Sequence, residues 1–265
     1  MSCTFLEGSV GMGNAQATLA GMDALEFARQ RLGFDADERQ AEVLRSDARR
    51  LILNCTRQWG KSTVAAAKAV HRAYTRPKSL VLVASPTDRQ SAEFVRKAFE
   101  MVRRLGLRPR GDGDNATSLL FPNGSRIVGL PGTDSTVRGF SAVSLLLIDE
   151  AAWVQDPIYR ALRPMLAVGQ GDLWMMSTPG GRCGFFYETW EHGGPAWARV
   201  RVRATECPRI SRDFLEEERG EMGAVSFAQE YMTEFVDNGR SVFDREIVER
   251  AVDPSIEPLD LGGTW

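Results

Sequence analysis

Apolar positions change their spacing several times along this chain, and each change predicts a different element. Ala24, Leu25, Phe27, Ala28 and Leu32 recur at helical intervals until Gly33 stops the run, and a polar helix over 34–44 carries Gln40. Leu51-Ile52-Leu53-Asn54-Cys55 is short, apolar and β-leaning, and is followed at once by Gly60-Lys61-Ser62-Thr63 and an alanine-rich helix to about Tyr74. A second strand over 79–84 leads into Ser85-Pro86 and a helix in which Thr87 and Gln90 have capping-box spacing. Val95, Phe99, Val102 and Leu105 stripe one face of that helix, and Gly106 ends it. Residues 118–121 and 126–130 flank Pro122-Asn123-Gly124-Ser125, the turn chemistry of a hairpin. The nearly all-apolar run 143–148 reads as a parallel strand covered on both faces and closes on Asp149-Glu150. A helix over 159–166 and a strand over 173–176 follow, ending in Ser177-Thr178-Pro179.

Alternating strands and helices predict an α/β fold built on a doubly wound, mainly parallel sheet with helices on both faces, whose ligands sit at the carboxyl ends of the strands. All three polar clusters, 60–63, 149–150 and 177–179, lie at such ends. Residues 1–21 read as a loose arm, 22–183 as the core, 184–245 as a small C-terminal lid and 246–265 as a linker rich in Pro and Gly. The lid is expected to hold a short helix, an alternating strand over 198–204 and helices over 212–220 and 224–235.

Composition changes this picture little. With 265 residues, 43% hydrophobic and 26% charged, the chain can bury a full core. A net charge of -2 gives no global basic field, so contact with nucleic acid would need local patches. Cys3, Cys55, Cys183 and Cys207 have no zinc spacing and read as reduced, intracellular thiols. No run approaches a membrane span and the first residues lack a signal peptide's basic start, so a soluble cytoplasmic protein is expected.

The chemistry concentrates at the strand ends. Gly60-Lys61-Ser62-Thr63 stands between strand and helix as a phosphate-binding loop must: backbone N–H groups cradle phosphates, Lys61 reaches their oxygens and Ser62 holds Mg2+. The usual pattern asks for glycine at position 55, where Cys55 stands, with Arg57 and Gln58 inside the loop. A chance match on a surface helix is the bland alternative. Asp149 would orient the Mg2+ shell and Glu150 polarise an attacking water, unless the pair only caps the next helix. Ser177 and Thr178 can sense hydrolysis and pass it to the lid, or mark a plain strand-to-turn junction. Arg138 in the glycine-containing stretch 132–141 is either an arginine finger or a solvated surface group. Arg199, Arg201 and Arg203 make one face of a strand basic, which reads best as charge protecting an edge strand. Arg96, Lys97, Arg103, Arg104, Arg108 and Arg110 cluster around one helix, by default a solvated face, and His71 and His192 have no partners at metal spacing.

Together these residues resemble the ATPase domain of large terminase subunits, the packaging motors of tailed bacteriophages and herpesviruses. Members of that family carry a variant phosphate loop with an arginine before G-K-[ST], and Thr56-Arg57-Gln58-Trp59-Gly60-Lys61-Ser62-Thr63 matches that form, Cys55 included. Gln40, Ser85-Pro86-Thr87 with Gln90, Arg138-Gly139-Phe140, Asp149-Glu150-Ala151 and Ser177-Thr178-Pro179 follow in the family's order, and the stretch with Phe227, Gln229-Glu230-Tyr231 and Phe235 resembles the end of its motor domain. The resemblance implies a P-loop NTPase of ASCE type that binds ATP and Mg2+. In it Gln40 reads adenine, Arg57 and Lys61 clamp phosphates within a loop running through Gln58, Trp59, Gly60 and Thr63, and Ser62 and Asp149 hold Mg2+. Glu150 activates water, Ser177 and Thr178 couple hydrolysis to motion, and Arg138 acts on a neighbour. It further implies a homo-oligomeric ring on a portal protein, double-stranded DNA handed over by a small terminase subunit, and work in the cytoplasm of an infected cell. The family's ribonuclease-H-type nuclease domain is not expected in this chain, so it should hydrolyse ATP without cutting DNA. A helicase-like translocase, or a module that binds nucleotide only for assembly, are the alternative readings.

Overall fold

The computed structural model describes residues 21–108, 110–111, 117–130, 139–237 and 251. The expected arm, apart from Gly21, the linker, apart from Ala251, and Arg138 lie outside the described residues.

Among the described residues, seven strands form one sheet: β1 (Arg50–Cys55), β2 (Leu80–Ala84), β3 (Ser118–Leu120), β4 (Arg126–Leu130), β5 (Leu145–Asp149), β6 (Asp172–Ser177) and β7 (Ala198–Val202). Their order is β3-β4-β2-β5-β6-β1-β7, and every pairing is parallel except the β3–β4 hairpin. The period of two in a strand sends alternate residues to opposite faces. Leu51, Leu53 and Cys55 of β1, with Leu145 and Leu147 of β5, enter one apolar cluster; Ile52, Leu146 and Ile148 enter the other. Burial on both faces is why β5 reads as a continuous apolar run.

The first cluster is closed by α1 (Ala24–Leu32), α2 (Glu38–Arg45), α3 (Lys61–Thr75) and α4 (Asp88–Arg104), the second by α5 (Asp156–Leu162) and α6 (Gly184–His192). Local chemistry sets the ends. Asp37 and Gln40 form a reciprocal capping box, so the polar helix expected over 34–44 starts, as α2, at Glu38. Thr87 accepts from the Gln90 N–H and starts α4. The buried seam of α4 runs through Ser91, Phe94, Val95, Ala98, Met101 and Val102, so Phe99 and Leu105 of the expected stripe sit only at its margin. Pro164 converts the last turn expected of α5 into 3-10 geometry at Arg163–Leu166. In the hairpin turn, Asn123 donates to the Ala73 and Tyr74 carbonyls, tying the turn to the end of α3.

The structure divides the stretch expected as a lid. β7 pairs with β1 in the main sheet, and Phe185, Phe186 and Tyr187 of α6 pack into the second cluster. Beyond them, α7 (Arg212–Glu221) and α8 (Ala224–Glu230) share a small separate cluster of Ala204, Leu215 and Tyr231. The helix expected to reach residue 235 ends at Glu230, and the chain then crosses the strand ends, with Thr233 at φ 59° and its carbonyl held by Asn54 Nδ2.

Candidate active site

β1, β6 and β5 deliver their last residues to one crevice. β6 lies between the other two, with Asn54 opposite Ser177 and Asp149 opposite Met176. Ser177 and Thr178 therefore emerge between the loop after β1 and the acidic pair that ends β5.

The loop needs its glycine. Gly60 has φ 95°, and a Cβ there would lie 3.1 Å from Gln40 Nε2. The turn before it is left-handed as well, at Gln58 with φ 60°. Asp23, Asp37 and Thr87 cap α1, α2 and α4 with side chains, whereas α3 begins at Lys61 with no side-chain cap. Its first N–H groups are left for an anion or solvent.

Five side chains then meet. Ser62 Oγ donates to Asp149 Oδ2 at 2.8 Å, and Lys61 Nζ stands 3.0 Å from Glu150 Oε1. Ser177 Oγ faces Glu150 Oε2 at 3.5 Å, long for a hydrogen bond. Glu150 has φ 52°, a costly conformation for a residue with a Cβ, and its N–H donates to Asp149 Oδ1 at 3.1 Å. Burial pushes the Asp149 carboxyl above the usual range and the neighbouring Glu150 adds to it; Lys61 and the Ser62 hydroxyl oppose. Asp149 is thus a buried carboxylate whose charge is only partly compensated by protein groups.

A predominantly polar cleft of about 530 Å³ opens over these groups. Of the residues singled out in the sequence, Arg57, Gln58, Gly60, Lys61, Ser62, Thr63, Gln90, Glu150 and Thr178 line it, joined by Lys97 and Trp153. Trp59 does not: its indole is fully buried in the first cluster, and the group it turns to its neighbours is a carbonyl. That carbonyl accepts from Gln40 Nε2 at 2.8 Å and from Arg209 at 2.6 Å. Gln40 is likewise buried, with its oxygen bonded to the Asp37 N–H, so in this structure it supports the loop from behind. Arg57 donates to Glu230 at the end of α8 with Nε···Oε2 2.5 Å, and Thr56 Oγ1 donates to the Glu230 carbonyl at 3.2 Å. The hydrogen bond to Glu230 holds the Arg57 guanidinium firmly charged.

Sequence reasoning missed Glu230, Arg209 and Lys97 at this site. Lys97 carried a weak signal, its heptad spacing from Gln90 on one face of α4; Glu230 stood in the stretch resembling the end of the motor domain, with nothing to tie it to the loop, and Arg209 carried no signal. The other basic groups have structural uses. Arg199 donates to the carbonyls of Thr189, Trp190, Gly194 and Trp197, Arg201 stacks over the Trp190 ring, and β7 is the edge strand that their alternation suggested. Arg104 holds the Leu32 carbonyl, and Arg96 pairs with Glu93. His71 Nε2 lies 2.9 Å from the Met22 carbonyl. Cys55 and Cys207 are buried and Cys183 is exposed, all as free thiols, and burial raises the Cys55 thiol far above its usual range. Among the described residues no helix is long and apolar enough to cross a membrane, and no cluster of three His, Cys, Asp or Glu side chains is placed to hold a metal.

Comparison with known proteins agrees with this architecture. The sequence profile described as "Terminase large subunit, T4likevirus-type, N-terminal" matches residues 52–250. The large terminase subunit of Thermus phage G20c is 28% identical over 248 residues, covering 80% of this chain and 51% of that protein, so the chain spans about half the length of the curated relatives it matches. The ATPase domain of the Thermus phage P74-26 large terminase superposes with a TM-score of 0.70 at 25% identity, over 80% of this chain and 97% of that one. The large terminase of another thermophilic bacteriophage, in complex with ADP, superposes with a TM-score of 0.61 over 80% of this chain and 52% of that one. At 16% identity this last likeness speaks for the fold alone.

Proposed function

Because the chain belongs to the terminase large subunit family, in its N-terminal region, we propose that it is an ATP-hydrolysing motor domain that drives double-stranded DNA into a viral procapsid. The observation that carries the reading is the meeting of Lys61 with Glu150 at 3.0 Å and of Ser62 with Asp149 at 2.8 Å. It joins a phosphate-binding cation, two hard oxygen donors and a candidate base at the uncapped start of one helix.

The donor set fits the groups this chemistry needs. Mg2+ takes few protein ligands and keeps phosphate and water oxygens, so Ser62 Oγ and the under-compensated Asp149 carboxylate suffice to hold it, directly or through water. When bound, it neutralises charge on the phosphates. The first N–H groups of α3 and the Gly60 turn cradle the β-phosphate side, and Lys61 leaves Glu150 for phosphate oxygens. Glu150, freed of that partner, orients the attacking water and accepts its proton. Ser177, 3.5 Å from the same carboxylate, is placed to register the change and transmit it along β6. Gln40, buried behind the loop, sets its shape through the Trp59 carbonyl; Arg57 exchanges Glu230 for phosphate. Arg138 acts in trans on the neighbouring subunit of a homo-oligomeric ring seated on a portal protein, and a small terminase subunit supplies the DNA. In this reading 22–183 with β7 is the motor core and α7 and α8 are the lid, the whole working in the cytoplasm of the infected host.

The test is steady-state ATP hydrolysis with Mg2+ against protein concentration, with and without duplex DNA, for the wild type and Arg138→Ala. A ring motor predicts specific activity that climbs with concentration and is lost in Arg138→Ala while nucleotide still binds. Activity flat in concentration and indifferent to Arg138 sinks the trans arrangement, and absence of any hydrolysis under all conditions sinks the motor.

A further inference from the structure

Among the described residues, three cations line the cleft, Arg57, Lys61 and Lys97. Two are held by carboxylates: Arg57 by Glu230 at 2.5 Å and Lys61 by Glu150 at 3.0 Å. Lys97 makes no hydrogen bond or ion pair with any described residue. Its helical neighbours do not take it up: Glu93 is bonded twice by Arg96, and Glu100 is approached by Arg103. Lys97 follows Gln90 by two helical turns, so both project from one face of α4 into the cleft. The helix α4 follows β2, which pairs with β5 while β1 lies beyond β6, so Lys97 approaches the cleft from the side of the Asp149-Glu150 pair.

We propose that Lys97 is a second phosphate-binding lysine of the cleft, its ε-ammonium donating to a terminal-phosphate oxygen of a bound nucleoside triphosphate. The assignment rests on the reading of this cleft as the ATP site. A partner-free cation facing Lys61 across a cleft adds nothing to the stability of the empty protein; like charges there repel. A triphosphate reverses that sign. Mg2+, Lys61 and Arg57 are shared over three phosphates, and a compact ammonium on a four-carbon stem can follow the terminal one at no cost in broken ion pairs. Because the contact falls on the Asp149-Glu150 side, it distinguishes a triphosphate from a diphosphate.

The experiment measures Mg2+-dependent binding of ATPγS and of ADP to the full chain by calorimetry, for wild type, Lys97→Met and Lys97→Arg, with thermal melts of the free proteins. Lys97→Met is expected to weaken ATPγS roughly tenfold, the scale of one charge-assisted hydrogen bond, to leave ADP within about a factor of two of wild type on the same scale, and to leave the melt unchanged. Lys97→Arg should recover most of the ATPγS affinity. Equal weakening of both nucleotides, or no effect on either, overturns the assignment. Failure of the wild type to bind any nucleotide is a different result and overturns the reading of the cleft itself.

Discussion

Lys61 Nζ and Glu150 Oε1 are 3.0 Å apart and form an ion pair inside the cleft. A phosphate-binding lysine and a water-activating carboxylate that neutralise one another describe a resting site. Neither can do its work until the pair opens, and a phosphate anion is the group that opens it. Glu150→Gln removes the charge that holds Lys61 and the base that accepts the proton. It should bind ATP at least as tightly as wild type and lose hydrolysis by about 10²–10⁴-fold, the usual range for a general base. Nucleotide titration set beside turnover decides this; parallel loss of binding and turnover would show Glu150 to be structural.

Asp149 predicts a trade between stability and function. Its folded pKa is raised chiefly by burial, so between its unfolded value near 3.8 and its folded value the native state holds more protons. Stability from this group therefore rises as pH falls through the folded pKa, and at neutral pH its charge is a cost. Asp149→Asn should melt higher than wild type without ligand. It should also lose the extra stabilisation that Mg2+ gives in the presence of nucleotide, read as the difference between melts with Mg2+ and with chelator. A variant that melts lower and keeps its Mg2+ response would remove Asp149 from the metal.

How much of this was legible beforehand divides along physical lines. Lys61, Ser62, Asp149, Glu150 and Thr178 were readable because each follows a buried strand, and a strand end in a parallel sheet has one place to be. Trp59 and Gln40 were placed by resemblance; the structure buries both, because the left-handed turn at Gln58 and Gly60 sends the indole into the core and leaves a carbonyl for the glutamine. β7 was read as part of a lid because an edge strand alternates and gives no two-sided apolar run. The Arg57–Glu230 contact joins residues 173 apart, and no local pattern encodes it.

His71 sets a pH limit on the fold. It is packed edge-on against Phe27 with Nε2 2.9 Å from the Met22 carbonyl, and its pKa is lowered by burial first and by Lys68, Arg72 and Arg76 besides. Below its ordinary value of 6.5 the unfolded chain takes up a proton that the folded one refuses, so stability falls as pH drops from there toward the folded pKa. Urea melts at pH 7.5 and 5.5 should show this loss in the wild type, and His71→Gln, which keeps a donor to Met22, should show less of it. An identical pH response in both proteins would assign the effect elsewhere.

Arg57 and Glu230 connect the phosphate loop to α8, and their energetics bear on whether that connection is a strut or a latch. The guanidinium is 60% exposed while the carboxylate is 16% exposed, so solvent screens the pair. Removing it should change global stability by less than about 1 kcal/mol, and the Arg57 N–H and the Thr56 hydroxyl still donate to the Glu230 carbonyl. A strut would show itself as a larger loss in both Arg57→Ala and Glu230→Gln. If Arg57 instead exchanges Glu230 for phosphate, the two variants must move nucleotide affinity in opposite directions. Arg57→Ala deletes a phosphate ligand and weakens binding; Glu230→Gln deletes the competitor and tightens it, by up to about fivefold for a screened pair of this kind. Binding of ATPγS to the two single variants and the double variant measures the exchange directly. In the double variant the effect of Glu230→Gln must vanish, because without Arg57 there is nothing for the carboxylate to hold back; tightening that survives in the double variant would place the action of Glu230 on some other group of the cleft.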